Sequence, residues 1–213
     1  VHGFDLSPDL VTSARLRHAS RDPTLTFAVS DVATAPSPDL RYDRLVSRFG
    51  ILFFDDPPAV FANLTDWLAP GGRVAFAAWG PPGDNPWTSS PRDVVAKFID
   101  LPQTAPDAPG AFRYADYDTL LDLLRQAGLD RLDVHTWRGT LALGGGLTAA
   151  EAARFALTSS SMAESVADAG DATGDAVRDA LTQHFAQYER DGVVRLDACV
   201  HIVTGAHAVR AGV

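Results

Sequence analysis

A chain of 213 residues, 46% hydrophobic and 21% charged, has the composition of a globular α/β domain with a sizeable core, which excludes a disordered chain. Its 18 Lys+Arg against 27 Asp+Glu leave a net charge of −9 with no basic patch, which argues against nucleic acid or an anionic membrane as partner. Cys199 is the single cysteine, so no internal disulfide forms and a cytoplasmic location is expected, with no apolar run of membrane-spanning length and no secretory leader in the opening residues.

Residues 1–4 read as a short strand ending at Asp5, after which Ser7 can cap a helix and Pro8 fits its first turn, where no N–H is needed. That helix is expected over about 8–19. Residues 25–29 form the next strand candidate, closed by Asp31 and a Pro/Ser-rich loop, and 44–47 form a third. Beyond Asp56, the apolar residues Val60, Phe61, Leu64, Trp67 and Leu68 fall on one helical face. Pro70, Gly71 and Gly72 are read as breaking that helix, with 74–78 a strand covered on both faces. Alternating strands and helices of this kind imply a parallel sheet.

Residues 80–110 are rich in Pro and Gly and read as an elaborated loop around a short helix near 93–99. Asp116 can cap a helix with the stripe Tyr117, Leu120, Leu121, Leu124 and Ala127, ended by Gly128 and followed by a strand over 129–137. Thr148 and Glu151 have capping-box spacing, so an insertion helix is expected to start there. A flexible connection is expected over 167–174, then a helix over 175–190 with Val177, Leu181, Phe185 and Tyr188 facing inward. The last strand is expected over 198–206, returning antiparallel at the sheet edge. His135 and His201 read as strand residues, and the six histidines show no ligand spacing, so no metal site is expected.

Four segments in register at successive strand ends, Gly3-Phe4-Asp5-Leu6-Ser7-Pro8, Ser30-Asp31-Val32, the run 43–50 and Leu68-Ala69-Pro70-Gly71-Gly72-Arg73, resemble class I S-adenosylmethionine-dependent methyltransferases. The likeness is greatest to the small-molecule branch of ubiquinone and menaquinone biosynthesis. It implies a Rossmann-like α/β sheet, mostly parallel with an antiparallel C-terminal strand and helices on both faces, forming one domain over 1–213 with a helical insertion at about 148–192. In open α/β sheets ligands lie beyond the carboxyl ends of the strands. The resemblance assigns Asp5 to the ribose hydroxyls of S-adenosylmethionine, Leu6 to packing on adenine, Asp31 to the adenine amino group and the backbone of Val32 to a ring nitrogen. Ser47, Arg48 and Phe49 fall near the methionine portion of the cofactor. Considered singly, Asp5 could equally close its own strand-to-helix turn, Asp31 could be a solvated loop acid, and Arg48 could serve a structural ion pair. Phe53, Phe54, Trp79 and Trp87 are candidates for an apolar substrate pocket, with a packing role for Trp79 as the alternative. No general base is assigned.

The resembled family has a further strand, followed by a Gly-x-Gly-x-Gly loop, before the strand that ends here at Asp5, and none of the 17 glycines supplies that loop. Its place is mid-sheet, between the strand ending at Asp5 and the one ending at Ser47. A strand of about 5 residues with four buried aliphatics contributes roughly 6–12 kcal/mol at ~1.5–3 each, comparable to the ~5–15 kcal/mol stability of a whole domain. Three readings follow: part of a longer methyltransferase acting on a small, partly apolar acceptor; a non-catalytic degenerate binding module; or an NAD-dependent oxidoreductase, against which Asp31 and the 68–73 turn argue.

Overall fold

In the computed structural model, which describes residues 1–18, 23–102, 108–158 and 162–208, β1 (His2–Asp5) lies parallel to β2 (Thr26–Val29) with Gly3 opposite Phe27 and Asp5 opposite Val29. Gly3 is required by that pairing: a Cβ there would stand 2.6 Å from the Phe27 ring. Between them runs α1 (Pro8–His18), started by Ser7, whose Oγ accepts from the amide of Leu10. Arg15 in its last turns donates through Nε and NH2 to the Phe27 carbonyl, tying the helix back onto β2. The expected helix end at Ala19 lies outside the described residues.

The described residues divide into two compact units, one of Val1–Phe76, Asp118–Asp133 and Val203–Val213, the other of Ala77–Tyr117 and Val134–Ile202. In the first, β1 and β2 form a two-stranded sheet of their own. A second sheet has the order β3 (Tyr42–Arg48), β4 (Leu68–Trp79), β7 (Val193–His207), β5 (Leu129–Ala142). Thus β1 and β3 belong to different sheets and share no backbone ladder. Ring contacts bridge them instead: Phe4 lies edge-on to Trp67 at 5.3 Å, and His2 to Tyr42 at 5.5 Å with its Nδ1 2.6 Å from the phenol oxygen. Trp67 is buried, yet its Nε1 has no hydrogen-bond partner.

The helix after Asp56, α2 (Pro57–Asp66), is capped by the Asp56 carboxylate and buries Val60, Phe61 and Thr65, while Phe61 stacks on Phe76 of β4 at 6.0 Å. It stops at Asp66. The Pro70-Gly71-Gly72 segment therefore does not end it but lies inside β4, which starts at Leu68, because Tyr42 donates its amide to the Trp67 carbonyl and draws the chain into the sheet at once. Along β4 the buried residues Leu68, Gly72, Val74, Phe76 and Ala78 are spaced at even intervals, the signature of one covered face. The α4 helix (Tyr117–Gln126) buries Leu120, Leu121 and Leu124 as its pattern requires. The last strand is not at the sheet edge: β7 runs between β4 and β5, and β5 is the outer strand.

In the second unit, α3 spans Pro86–Val95, earlier than the helix expected near 93–99, because Pro86 fits the first turn and the Asn85-Pro86 step opens it. Thr148 and Glu151 close a capping box, the Glu151 carboxylate accepting from the Thr148 amide at 2.9 Å and the Thr148 hydroxyl from the Glu151 amide at 3.4 Å, and α5 (Ala149–Thr158) follows. Those hydrogen bonds from Thr148 hold the Glu151 carboxyl below its usual range. The stretch read as a flexible connection is helical: α6 (Ala163–Asp168) and α7 (Asp171–Ala186) take up most of it, with Gly170 capping α7. Because α7 ends at Ala186, Tyr188 leaves the stripe, and Val177, Leu181 and Phe185 are the residues it buries. They pack with Val95, Ala152, Ala153 and, from β7, Val194 and Leu196. A tight turn pairs β6 (Glu189–Arg190) antiparallel to the start of β7.

Phe185 is fully buried in this cluster. Phe185→Ala should lower the unfolding free energy by about 3–5 kcal/mol, read as a shift of the urea midpoint; a loss below about 1 kcal/mol would contradict the packing described.

Candidate functional site

The parallel pairing of β1 and β2 carries two acidic residues to neighbouring strand ends. The Ser30 amide donates to the Asp5 carbonyl at 3.0 Å, which closes the Asp5–Val29 pair, and Asp31 stands two residues past the partner of Asp5. Asp5 is tied back into its turn by one carboxylate oxygen and Asp31 by both. Asp5 Oδ1 accepts from the Ser7 amide at 2.8 Å, and Asp31 Oδ1 from the Ala33 amide at 2.9 Å, which fixes the direction of the second oxygen in each. Asp31 Oδ2 is at 3.4 Å from the Thr34 hydroxyl. Both acids are exposed, and Leu6 beside Asp5 is 69% exposed, an apolar side chain available to cover a flat ring.

The loop after Asp31 rests on α2. Asn63 donates from its side-chain amide to the Val32 carbonyl at 2.9 Å and to the Ala35 carbonyl at 3.0 Å. Sequence reading passed over this residue. Its signal was present, since an asparagine inside a helix competes with the helical backbone unless a tertiary partner takes its hydrogen bonds.

At the end of β3, Ser47 is half-buried and Arg48 exposed, and Phe49 adopts the left-handed conformation at φ 66°. For an aromatic residue that conformation is strained. It turns the chain into a 3-10 turn over Gly50–Phe53, which buries Ile51 and Leu52 and leaves Phe53 60% exposed. Phe54 instead packs edge-on against Phe61 at 5.7 Å.

The other two pocket candidates belong to the second unit. Trp79 and Trp87 meet at 4.6 Å between ring centroids, and Trp87 continues to Phe112 at 6.2 Å. Asn85, fully buried and also missed, organises this aromatic wall. Its amide donates to the Gly80 and Pro81 carbonyls, while its Oδ1 accepts from the Trp87 indole at 3.2 Å and from the Cys199 amide at 3.0 Å. Gly80 is held close beneath Cys199, where a Cβ would come within 2.5 Å of Sγ. Burial raises the pKa of the Cys199 thiol, which keeps it protonated and inert.

Two depressions mark the units, and none of the residues predicted for the site lines either. One, of about 370 Å³, includes Arg44, Val46, Arg73, Arg131 and Thr204; the other, of about 460 Å³, includes Asp84, Arg138, Asp197 and Cys199. Among the described residues no cluster of His, Cys, Asp or Glu is arranged to hold a metal ion, and no helix is long and apolar enough to cross a membrane.

Residues 1–72 match a family model described as a methyltransferase domain. Over 78 residues the chain is 43% identical to a phosphoethanolamine N-methyltransferase of Triticum aestivum, covering 36% of this chain and 15% of that protein. Over 82 residues it is 32% identical to the demethylmenaquinone methyltransferase of Thermus thermophilus, covering 38% and 37% of the two chains. The matched part thus spans well under half the length of these relatives. Among solved structures, a presumed methyltransferase of Bacillus halodurans C-125 superposes with a TM-score of 0.56 at 17% identity, over 98% of this chain and 83% of that one. The phosphoethanolamine N-methyltransferase 2 of Haemonchus contortus, in complex with S-adenosyl-L-methionine, gives 0.51 at 16% identity over 98% and 43%. Sequence likeness to methyltransferases is concentrated in the first third of the chain, and likeness of fold, that of a Rossmann-like methyltransferase, extends over almost all of it.

His201 on β7 is buried in the second unit, with Nδ1 2.9 Å from the Thr136 hydroxyl, Nε2 3.3 Å from the Ala115 carbonyl and the ring edge-on to Tyr117 at 4.9 Å. Burial is the main cause that lowers its pKa from the ordinary 6.5, and the Arg138 charge adds to it against the opposing pull of Ala115, Asp116 and Asp84. The unfolded imidazole therefore takes up its proton first as pH falls, so stability is full above pH 6.5 and declines below it until the folded imidazole also titrates. His184 is shifted the same way, chiefly by burial, and adds to the decline. Urea unfolding of His201→Gln should show a shallower loss of stability than the wild type as pH drops below 6.5; identical slopes would show that His201 is not the group responsible.

Proposed function

We propose that this chain is the greater part of a class I methyltransferase that transfers a methyl group from S-adenosylmethionine to a small, partly apolar molecule. The observation that carries the reading is the pair of carboxylates at adjacent strand ends, Asp5 and Asp31, each held in its own turn. Such a rim fits a nucleoside: the remaining oxygen of Asp5 suits the ribose hydroxyls, Asp31 the exocyclic amino group of adenine, and Leu6 one face of the base. The family match covers the residues of this rim, and the relatives described above are named as methyltransferases. Neither a degenerate binding module nor a dinucleotide oxidoreductase has an observation in its favour.

The break between β1 and β3 supports the place expected for the missing strand and its glycine-rich loop. Both facing edges leave backbone donors and acceptors unpaired by a sheet partner, Trp67 Nε1 is orphaned at the break, and Val46 on β3 is 77% exposed. We read the break as the slot that such a strand fills in the whole protein, where its loop would hold the methionine end of the cofactor near Ser47, Arg48 and Phe49.

The cofactor supplies a methyl group on a sulfonium, a good leaving group for an in-line displacement. The chain's own contribution is then alignment, and holding reactants in attack geometry is worth about 7 kcal/mol or more in favourable systems. Asp5, Asp31 and Leu6 would fix the nucleoside. The curated relatives act, by their names, on acceptors as different as phosphoethanolamine and demethylmenaquinone. That spread fits a scaffold whose acceptor specificity resides in the loops.

Calorimetric titration of the gene product with S-adenosylhomocysteine tests the reading, and absence of binding would overturn it. Asp5→Ala should weaken that binding by about 1–3 kcal/mol, roughly 5- to 150-fold in dissociation constant, through the ribose hydroxyls left without a partner. An unchanged constant would remove Asp5 from the site.

A further inference from the structure

We infer that Asn63 is a positioning residue that sets the preference for adenine at this site, an inference that rests on the nucleoside reading of Asp5 and Asp31. Its two amide hydrogens go to the carbonyls of Val32 and Ala35, at 2.9 and 3.0 Å, at either end of the loop that begins with Asp31. Two carbonyl acceptors on one side chain require the nitrogen of the amide there, so the orientation follows from the network itself.

The loop's own hydrogen bonds define its shape. Asp31 accepts from the Ala33 amide through its carboxylate, and its backbone carbonyl accepts from the amides of Thr34 and Ala35 at 3.2 and 2.9 Å. None of these bonds says where that turn sits. Among the described residues, the hydrogen bonds that anchor it to α2 are the two from Asn63. The helix beneath is firm, with the Asp56 cap at its start and Val60, Phe61 and Thr65 buried along it. Asn63 thus transfers the position of a rigid element to the Asp31 carboxylate and to the Val32 backbone.

Position matters here because base discrimination depends on one short polar contact. The amino group of adenine donates to a carboxylate, whereas hypoxanthine presents a carbonyl at the same place and is repelled by it. A site built for a donor rejects the analogue lacking it by orders of magnitude, provided the acceptor cannot move aside. With the anchor removed, the loop can retreat from the wrong base and the rejection weakens.

The test measures dissociation constants of S-adenosylhomocysteine and S-inosylhomocysteine by calorimetry on the gene product as the cell makes it, for wild type, Asn63→Leu and Asn63→Ser. Leucine preserves volume and removes both donors; serine is too short to span both carbonyls and serves if the leucine variant does not fold. The wild type should prefer the adenosyl ligand, and each variant should lose about tenfold of that preference, with weaker adenosyl binding and tighter binding of the inosyl ligand. A purely structural role would weaken both ligands alike and leave their ratio unchanged, which would overturn the inference while the proposed function stands. If the wild type binds neither ligand or shows no preference, the nucleoside reading itself fails and the role of Asn63 with it.

Discussion

The amide of Ser30 donating to the carbonyl of Asp5 is a single backbone hydrogen bond, but the candidate site depends on it. It closes the last pair of the parallel register of β1 and β2 and so sets the two turns side by side. In a parallel pair both chains leave the sheet at the same end, which is why acids at successive strand ends can meet one ligand. An antiparallel pairing of the same residues would have sent Asp5 and Asp31 to opposite ends. Gly3 is part of the same constraint, since the Phe27 ring occupies the space a side chain would need. The rim therefore starts from a packing requirement one turn below it.

A second constraint is the discontinuity in the sheet. Strands β3, β4, β7 and β5 form one sheet, and β1 and β2 form another that shares no ladder with it. Aromatic rings from His2, Phe4, Tyr42 and Trp67 span the boundary, supplying apolar contact where hydrogen bonds are lacking. Rings can hold two layers together by area alone, yet they cannot satisfy backbone groups along the edges. Energetically the arrangement is a core maintained without its ladder.

Most of the architecture was legible from residues. The stripe after Asp56, the stripe of α4 and the Thr148–Glu151 box each have one dominant local cause, and local causes are visible in sequence. Errors came where a distant partner decides. Pro70-Gly71-Gly72 looks like a helix terminator, but Tyr42 pulls this segment into a strand; the Gly/Asp/Ala stretch before residue 175 looks flexible, but α7 gains its turns by packing on α5 and β7. The same division holds for the site. Asp5 and Asp31 could be picked out because acids at strand ends carry a chemical meaning, and the structure shows that each also closes its own turn. Asn85 stayed hidden because most of its partners are main-chain groups distant in sequence, while Asn63 showed only as an asparagine inside a helix, with its carbonyl partners unspecified. The pairing of Trp79 with Trp87 was likewise unreadable, for it depends on how Asn85 folds the loop between them.

Open strand edges have a further consequence for the chain in isolation. β1 and β3 each present a row of donors and acceptors spaced for another strand, with Val46 of β3 exposed beside them. Unpaired edges can template an extended peptide, and on β3 the exposed Asp43, Arg44 and Arg48 temper that tendency. The unpaired edges of β1 and β3 are thus places where an extended segment of another chain could add a strand.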